Sequence, residues 1–482
     1  MNTYLGIDVG TTNVKALLCD SAGHSLATSS RAYPTQHHNA TWVEQDPEDW
    51  WSAARSAVGD IAEAVSLDCV SAIAFSAQAP TLLAVDDRGN ALRPAMIWMD
   101  RRAEDQCDEL RNTFGDIEYT RRAGNRIDPF YVGPKLMWLR EHEPETLARA
   151  AAFVQIPGFM ARRLTGNLSL DEAHASILGL GGPAEWDADL LEMAGIDSGK
   201  LPPSVKSHAI VGYTIEDALP GVRAGVPVAA GTVDSAAAAL EVQLASHEAL
   251  LMTGTSSVLV MPRPDVQPSA EFISMASPEG GWYDLAAMVS SGSSVEWLRG
   301  IVGGELNRLL ARAAESPPGA RGLMFLPYLA GERSPWWDSD ARGAFVGLTA
   351  THGLPDLTRA VLEGTAMALR QNLVVAATLG HDIRRLAISG TPARNQFWNQ
   401  ILADVVGLPL IHHDTSGGSA FGCCRLAARS IGEEVPVPGG DPNQFRPCAT
   451  NRTTYDDLFA TYDQLYPALR DISRGLARHS GD

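Results

Sequence analysis

Basic charge, cysteine and long apolar runs are all in short supply. Against 57 acidic residues stand 38 basic ones, a net charge of −19, and such a field repels nucleic acid and anionic membrane alike. A phosphate-bearing ligand must then be held by local geometry. The six cysteines (Cys19, Cys69, Cys107, Cys423, Cys424, Cys448) form no CxxC pair, which argues against zinc and against a disulfide framework and suits a reducing cytoplasm. The pairs His37-His38 and His412-His413 have no companion ligands at metal spacing and read as loop or strand residues. No run approaches the roughly 18 to 20 apolar residues of a membrane span. The start MNTYLGIDVG has neither a basic flank nor a cleavable apolar segment, so a mature, soluble chain is expected. The P-loop string GxxxxGK(S/T) is absent, and the one GxGxxA-like string, Gly179 to Ala184, carries a proline where a dinucleotide helix should begin.

What is present is a globular α/β pattern. With 482 residues, 45% of them apolar, the chain is long enough for two large domains. The opening YLGIDVGTTNVKALLCDSAGHSLATSS alternates β-formers with Gly, Asp, Ser and Thr breaks, which predicts an antiparallel meander. A helix is expected to follow at Asp46, with Asp46 as cap, Pro47 at the first position and Trp50, Ala54, Ala57 and Ile61 at helical spacing. Strands are predicted at VSAIAFSAQ and LLAVDD. The second half restarts with EALLMTGTSSVLVMP, whose Gly254-Thr255-Ser256-Ser257-Val258 echoes Gly10-Thr11-Thr12-Asn13-Val14 about half a chain earlier. That echo places a domain boundary near residue 243. Helices are predicted through DLTRAVLEGTAMALRQNLVVAATLG, through ARNQFWNQILADVVGLP, and from Tyr455 to about His479.

Two features bear on chemistry. A Gly-Thr-Thr turn offers backbone N–H groups and hydroxyls in a concave nest suited to phosphate, with Asp8 at the strand end able to hold magnesium through water and Lys15 on the returning strand. A plain polar hairpin explains that string equally well. The second hydroxyl turn at Gly254 shifts the balance toward a clamp on a polyphosphate. Asp234, in AAGTVDSAAAALEV, reads either as the N-cap of an Ala-rich helix or as a general base whose small neighbours leave room for a substrate hydroxyl. Spacing alone favours the cap. Glu332 and Arg333 suit a cleft or an inter-strand ion pair, and the lone His174 reads as structural.

The blocks WVEQDPEDWW, RPAMIWMDRR, PKLMWLREHEPE, FLPYLAGERSPW and RGAFVGLTATHGLPDLTRAVLEG follow one another as they do in the FGGY carbohydrate kinases. The chain resembles that family, within the actin-like and Hsp70-like ATPase superfamily, and is most similar to its xylulokinases. The resemblance implies two actin-like (ribonuclease H-like) ATPase domains with a central cleft, residues 1–243 binding sugar and carrying the catalytic base, residues 244–482 binding nucleotide. It implies ATP and Mg2+ as cofactors and a small sugar or polyol as partner; a homodimer is one option for its assembly. By the same likeness Asp234 is the base; Asp8, Gly10, Thr11, Thr12 and Lys15 form the first phosphate motif and Gly254, Thr255 and Ser256 the second. Gly390, Ala393 and Asn395 fall in the adenosine loop, Gln78, Ala79, Trp98, Asp100 and Arg102 in the sugar region, and Asp8 at the metal.

Three departures are visible. Gly390-Thr391-Pro392 stands where the family has a triple glycine, Ala79-Pro80-Thr81 where xylulokinases have Met-His-Gly, and Met99 where a polar residue is common. The first bears on nucleotide affinity; the other two point to a different or less hydroxylated acceptor. Besides a ketopentose such as xylulose, the pattern admits gluconate, glycerol or a deoxypentulose, or a non-catalytic ATP-binding switch of the same superfamily.

Overall fold

The computed structural model describes residues 2–39, 41–245, 247–390, 395–412, 417–438 and 443–479. It is a mixed α/β chain in two compact units. The first comprises Met1–Gln243, Pro262–Asp284 and Thr415–Gly439, the second Leu244–Met261, Leu285–Asp414 and Gly440–Asp482. The units are therefore not two unbroken halves: two later segments return to the first.

The first unit is built on a sheet ordered Ile210–Tyr213, Pro227–Ala229, Val70–Ala77, Thr3–Val9, Asn13–Asp20, Ser25–Ala32, with Thr232–Val233 also paired to Val70–Ala77. The predicted meander is there: Thr3–Val9 and Asn13–Asp20 run antiparallel, as do Asn13–Asp20 and Ser25–Ala32. Thr3–Val9 and Val70–Ala77 are parallel and almost wholly buried, as expected of strands covered on both faces. One cover is the helix Pro47–Ala64, whose Asp46 cap accepts from the Glu48 N–H and whose Trp50, Ala54, Ala57 and Ile61 are buried. The helices Asp234–Val242 and Ser419–Ser430 also pack closely on each other. A Cβ at Gly422 would lie 1.8 Å from the Ala237 carbonyl oxygen, and one at Gly6 would lie 2.0 Å from that of Ala420. The small side chains after Asp234 are thus explained by helix packing: Ala236 to Ala239 are at most 1% exposed and give no room to a substrate.

In the second unit the strands run in the order Ser257–Arg263, Glu248–Thr253, Arg385–Ser389, Leu410–His412, Asn443–Phe445. The first two are antiparallel, Glu248–Thr253 is parallel to Arg385–Ser389, and Arg385–Ser389 to Leu410–His412. The helix Leu354–Thr378 packs on Gln396–Val406, which ends at left-handed Gly407. The last helix runs Ala449–Ala477, starting six residues before the predicted Tyr455. Among the described residues no helix is long and apolar enough to cross a membrane.

Candidate active site

Sheet register assembles the first part of the site. Asp8 is paired across the strands with Lys15 on one side and Ser76 on the other, and Ser76 in turn with Thr232. Ser76 Oγ donates to Asp8 Oδ1 at 2.6 Å, and Lys15 Nζ donates to the Gly417 carbonyl at 2.8 Å. Two residues past Thr232 stands Asp234, the first residue of its helix. The expected N-cap is not formed: Val233, in extended conformation, holds the cap position, and Asp234 Oδ1 instead accepts from the next N–H, that of Ser235, at 2.6 Å. Burial pushes the Asp8 carboxyl up to about 7, with the charge of Asp234 acting in the same direction; the Ser76 bond and Lys15 pull against them. Burial also raises Asp234, to about 6, against the Ser235 N–H and nearby His174. Burial opposes ionisation of both carboxyls, and the charge of Asp234 adds to it at Asp8, so a divalent cation beside them would favour their charged forms. Mg2+ needs only one or two carboxylates because it keeps several waters, so the residues present fit it. Among the described residues no group of three or more His, Cys, Asp or Glu is arranged to hold a metal by itself.

Beside Asp8, the turn Gly10–Asn13 is closed by Gly10 N–H to the Asn13 carbonyl at 3.1 Å. Its remaining carbonyls are occupied from behind: Tyr33 OH donates to that of Gly10, Gln45 Nε2 to that of Thr11 at 2.8 Å, and Tyr33 N–H to that of Thr12. Trp98 Nε1 donates to Thr11 Oγ1 at 3.1 Å. Among the described residues nothing accepts from the Thr11 and Thr12 N–H groups, and Thr12 is exposed. A nest of unspent donors with its acceptors consumed suits an anion.

The turn in the second unit follows the same plan with other means. Gly254 N–H closes on the Ser256 carbonyl at 2.8 Å, the Gly254 carbonyl accepts from Gly292 N–H, and that of Thr255 from Ser291 and Ser293 N–H. Thr255 and Ser256 are exposed. Gly390, at φ 101°, presses against Thr253: a Cβ there would lie 1.8 Å from the Thr253 carbonyl oxygen. Asn395 caps the helix Gln396–Val406, its Oδ1 accepting from Trp398 N–H at 3.0 Å, so this oxygen serves the backbone. Ala393, with the rest of 391–394, lies outside the described residues. Glu332 accepts from the Val289 and Arg333 N–H groups rather than forming the expected inter-strand ion pair, and burial pushes it up to about 8.

Comparison with known proteins identifies the family. Residues 3–240 match the N-terminal domain of the FGGY family of carbohydrate kinases, and residues 249–431 its C-terminal domain. The chain belongs to the FGGY carbohydrate kinase family. It is 30% identical to the xylulose kinase of Bacillus subtilis (strain 168), over 99% of each chain. Among solved structures it is similar to a xyloylose kinase from Brucella ovis (29% identity, TM-score 0.91, 98% of this chain and 100% of that one) and to a gluconate kinase from Lactobacillus acidophilus (25%, TM-score 0.91, 97% and 98%). The fold is accordingly that of sugar kinases, with two actin-like sheet domains, and the protein is a carbohydrate kinase.

In the region that FGGY likeness assigns to sugar, the structure separates two groups. Gln78 is buried, its Nε2 donating to Gln45 Oε1 at 2.6 Å while its own Oε1 has no partner; Ala79 and Trp98 are half-buried. Asp100 and Arg102, expected to face the substrate, are instead turned on each other. Asp100 is 0% exposed and accepts from Val43 N–H at 2.7 Å and from Arg102 Nε and Nη2. Arg102 also bonds Glu44 and lies 4.2 and 4.9 Å from the ring centres of Trp42 and Trp138. The Asp100 carboxylate and the Nε and Nη2 groups of Arg102 are engaged with each other, with Val43 N–H and with Glu44, so this buried pair braces the wall. Residues the sequence reading passed over do the joining: Ser76 under Asp8, Gln45 and Tyr33 behind the turn, and Gln155, whose amide brackets the Thr81 backbone. Gln45 lies within the WVEQDPEDWW block, so its place in that block was the available signal.

Proposed function

We propose that this kinase phosphorylates a ketopentose such as xylulose, using ATP and Mg2+, with Asp234 as general base. The carrying observation is the pair of buried carboxyls, Asp8 and Asp234, one near the end of Thr3–Val9 and the other just past Thr232–Val233, with Val70–Ala77 as the strand between them. Phosphoryl transfer asks the protein mainly for positioning and charge neutralisation. Asp8, braced by Ser76, would hold the metal through water, and Mg2+ would offset the negative charge of the β- and γ-phosphates. The Thr11 and Thr12 N–H groups supply directed donors to phosphate oxygens, and likeness to the family assigns the Gly254–Ser256 turn to the same nucleotide. Asp234 Oδ1 accepts from Ser235 N–H, which anchors one carboxylate oxygen; its other oxygen is available to accept the proton of the attacking hydroxyl. Once ionised, an acid with affinity near neutrality is a stronger base than an ordinary aspartate. Gln78 Oε1, buried and unpartnered, is the acceptor offered to a sugar hydroxyl.

The test is ADP release with ATP and magnesium over D-xylulose, D-ribulose, 1-deoxy-D-xylulose, gluconate and glycerol, repeated with Asp234→Ala. D-xylulose should give the highest kcat/KM, and the variant should lose about 100- to 10,000-fold in kcat, the range for a positioned base. A gluconate or glycerol preference would move the acceptor assignment; ADP release indifferent to all five, or full turnover by Asp234→Ala, would overturn the reading.

A further inference from the structure

His174 takes no part in the scheme above, yet its surroundings are built with care. It lies in the short helix Glu172–Ala175 and is 0% exposed. Asp171, itself 1% exposed, holds it twice: Oδ1 accepts the His174 backbone N–H at 3.0 Å, and Oδ2 lies 2.7 Å from ring Nδ1. Because an ionised carboxylate only accepts, Nδ1 carries the hydrogen. The ring is therefore held in orientation by Asp171 through Nδ1, which leaves Nε2 as its other polar atom. Nε2 is buried and has no partner among the described residues. Orphaned polar atoms in a sealed interior cost about 1 to 3 kcal/mol each, so such an atom calls for an explanation.

Its neighbours supply one. The helix Glu172–Ala175 packs against Thr232–Val233, the two residues that lead directly into Asp234. Around the same strand lie further buried oxygens without partners, Thr232 Oγ1 and Ser207 Oγ; Gly231 N–H bonds to the carbonyl of Ser207. His174 is close enough to Asp234 to favour its ionised form. The Asp234 carboxyl itself has one fixed oxygen, on Ser235 N–H.

We propose that Asp171 and His174 form a positioning pair for Asp234: with hydrogens on both ring nitrogens, Nδ1–H donates to Asp171 and Nε2–H fixes the orientation of the Asp234 carboxylate when the acceptor hydroxyl is bound. The proposal rests on the assignment of Asp234 as base. His174 is a positioning residue, acting through Asp234 and not on the substrate. It adds a specific device to the reading above, since Ser235 N–H restrains one oxygen only and leaves rotation of the other unchecked.

Side-chain amides separate this role from simple packing. In His174→Asn the shorter amide occupies the place of Nδ1 and keeps the link to Asp171 but abandons the Nε2 position. In His174→Gln the longer amide reaches the Nε2 position. Steady-state kinetics on the best acceptor of the panel, with matched thermal melts, should show kcat down about 10- to 100-fold in His174→Asn, the scale of a slightly misplaced catalytic group. The KM for ATP should stay within about twofold, and His174→Gln should recover most of the loss. A purely structural histidine predicts the reverse order, with the Asn variant the healthier one. Equal kcat in both variants and wild type, or a loss that simply follows Tm in both, would overturn the proposal. Asp234→Ala in the same assay keeps the two claims apart: a dead Asp234→Ala beside a fully active His174→Asn sinks only the positioning pair, and an active Asp234→Ala sinks the assignment of the base itself.

Discussion

The turns Gly10–Asn13 and Gly254–Ser256 are each closed by the N–H of their first glycine, at 3.1 and 2.8 Å, and each leaves hydroxyl residues exposed. Their supports differ in kind. Side chains hold the first: Tyr33 and Gln45 on its carbonyls, Trp98 on Thr11, and the carboxyl of Asp8 on the strand leading in. Backbone holds the second: Ser291 to Ser293 supply N–H groups to its carbonyls, and the strand leading in ends on Thr253, whose hydroxyl bonds to the Ser389 carbonyl. The same turn is thus equipped with charge in one unit and with close backbone fit in the other. Mutations should therefore hurt chemistry in the first unit and local structure in the second.

The largest effect that sharpens this contrast is expected from Asp8→Asn. It keeps the size of the side chain and removes the carboxylate that the proposed metal needs. Turnover should fall about 100- to 1,000-fold, the scale for loss of one preorganised electrostatic partner, while thermal stability without ligands should not fall. A variant with wild-type kcat would put the charge of this turn out of the mechanism.

Next comes Gly390→Ala in the second unit. The φ of 101° and the Cβ approach of 1.8 Å to the Thr253 carbonyl are fixed by neighbouring strands, so neither can relax cheaply. A loss of about 3 kcal/mol or more is expected, visible in urea unfolding. Gly10→Ala and Gly254→Ala make the control: their nearest atoms would be 3.4 and 3.7 Å away, with no left-handed backbone, and stability should barely change. If Gly254→Ala unfolded the protein and Gly390→Ala did not, the account of close fit would fail.

These contrasts also mark how far the sequence could be read. The meander, the Asp46-Pro47 helix start and the long helix ending before Gly380 were legible because their signals are local: alternation of period two, a cap, a terminal glycine. The role of the alanines after Asp234 was not, because Gly422, which packs against Ala237, comes from a distant segment that returns to the first unit. For Asp234, cap and first helical residue differ by one peptide's dihedral angles, below the resolution of spacing. The row Asp8–Ser76–Thr232 is a product of strand register, and Asp100 and Arg102 looked like ligands because charge in a loop reads the same whether it meets substrate or its own neighbour. The family blocks located the site; pairing and burial decided who works in it.

A subtler test uses acidity. Asp8 is pushed from an ordinary carboxylate value of about 3.9 up to about 7, so the native state holds a proton that the unfolded chain has already released. The contribution of Asp8 to stability is therefore greatest below about pH 4 and falls as pH rises through about 7. Asp234, up to about 6, acts in the same sense. Melting curves in EDTA should show a steeper decline across this window for the wild type than for Asp8→Asn, and magnesium at pH 8 should raise the Tm of the wild type alone. Parallel curves would mean that the first turn carries no such burden of charge.

The smallest effect belongs to Trp98→Phe. The indole N–H is one of the side-chain supports of the first turn, on Thr11 Oγ1 at 3.1 Å, and phenylalanine keeps most of the bulk of a half-buried ring. Losing one neutral hydrogen bond is worth about 1 kcal/mol, so the KM for ATP should rise about fivefold with kcat little changed. That split is the informative part. A turn held by side chains should loosen when one is trimmed and bind phosphate less well, whereas among the described residues the second turn's carbonyls are held by backbone N–H groups. An unchanged KM would show that Tyr33 and Gln45 suffice and that Trp98 serves the sugar region instead, where a fall in acceptor affinity would appear in the same experiment.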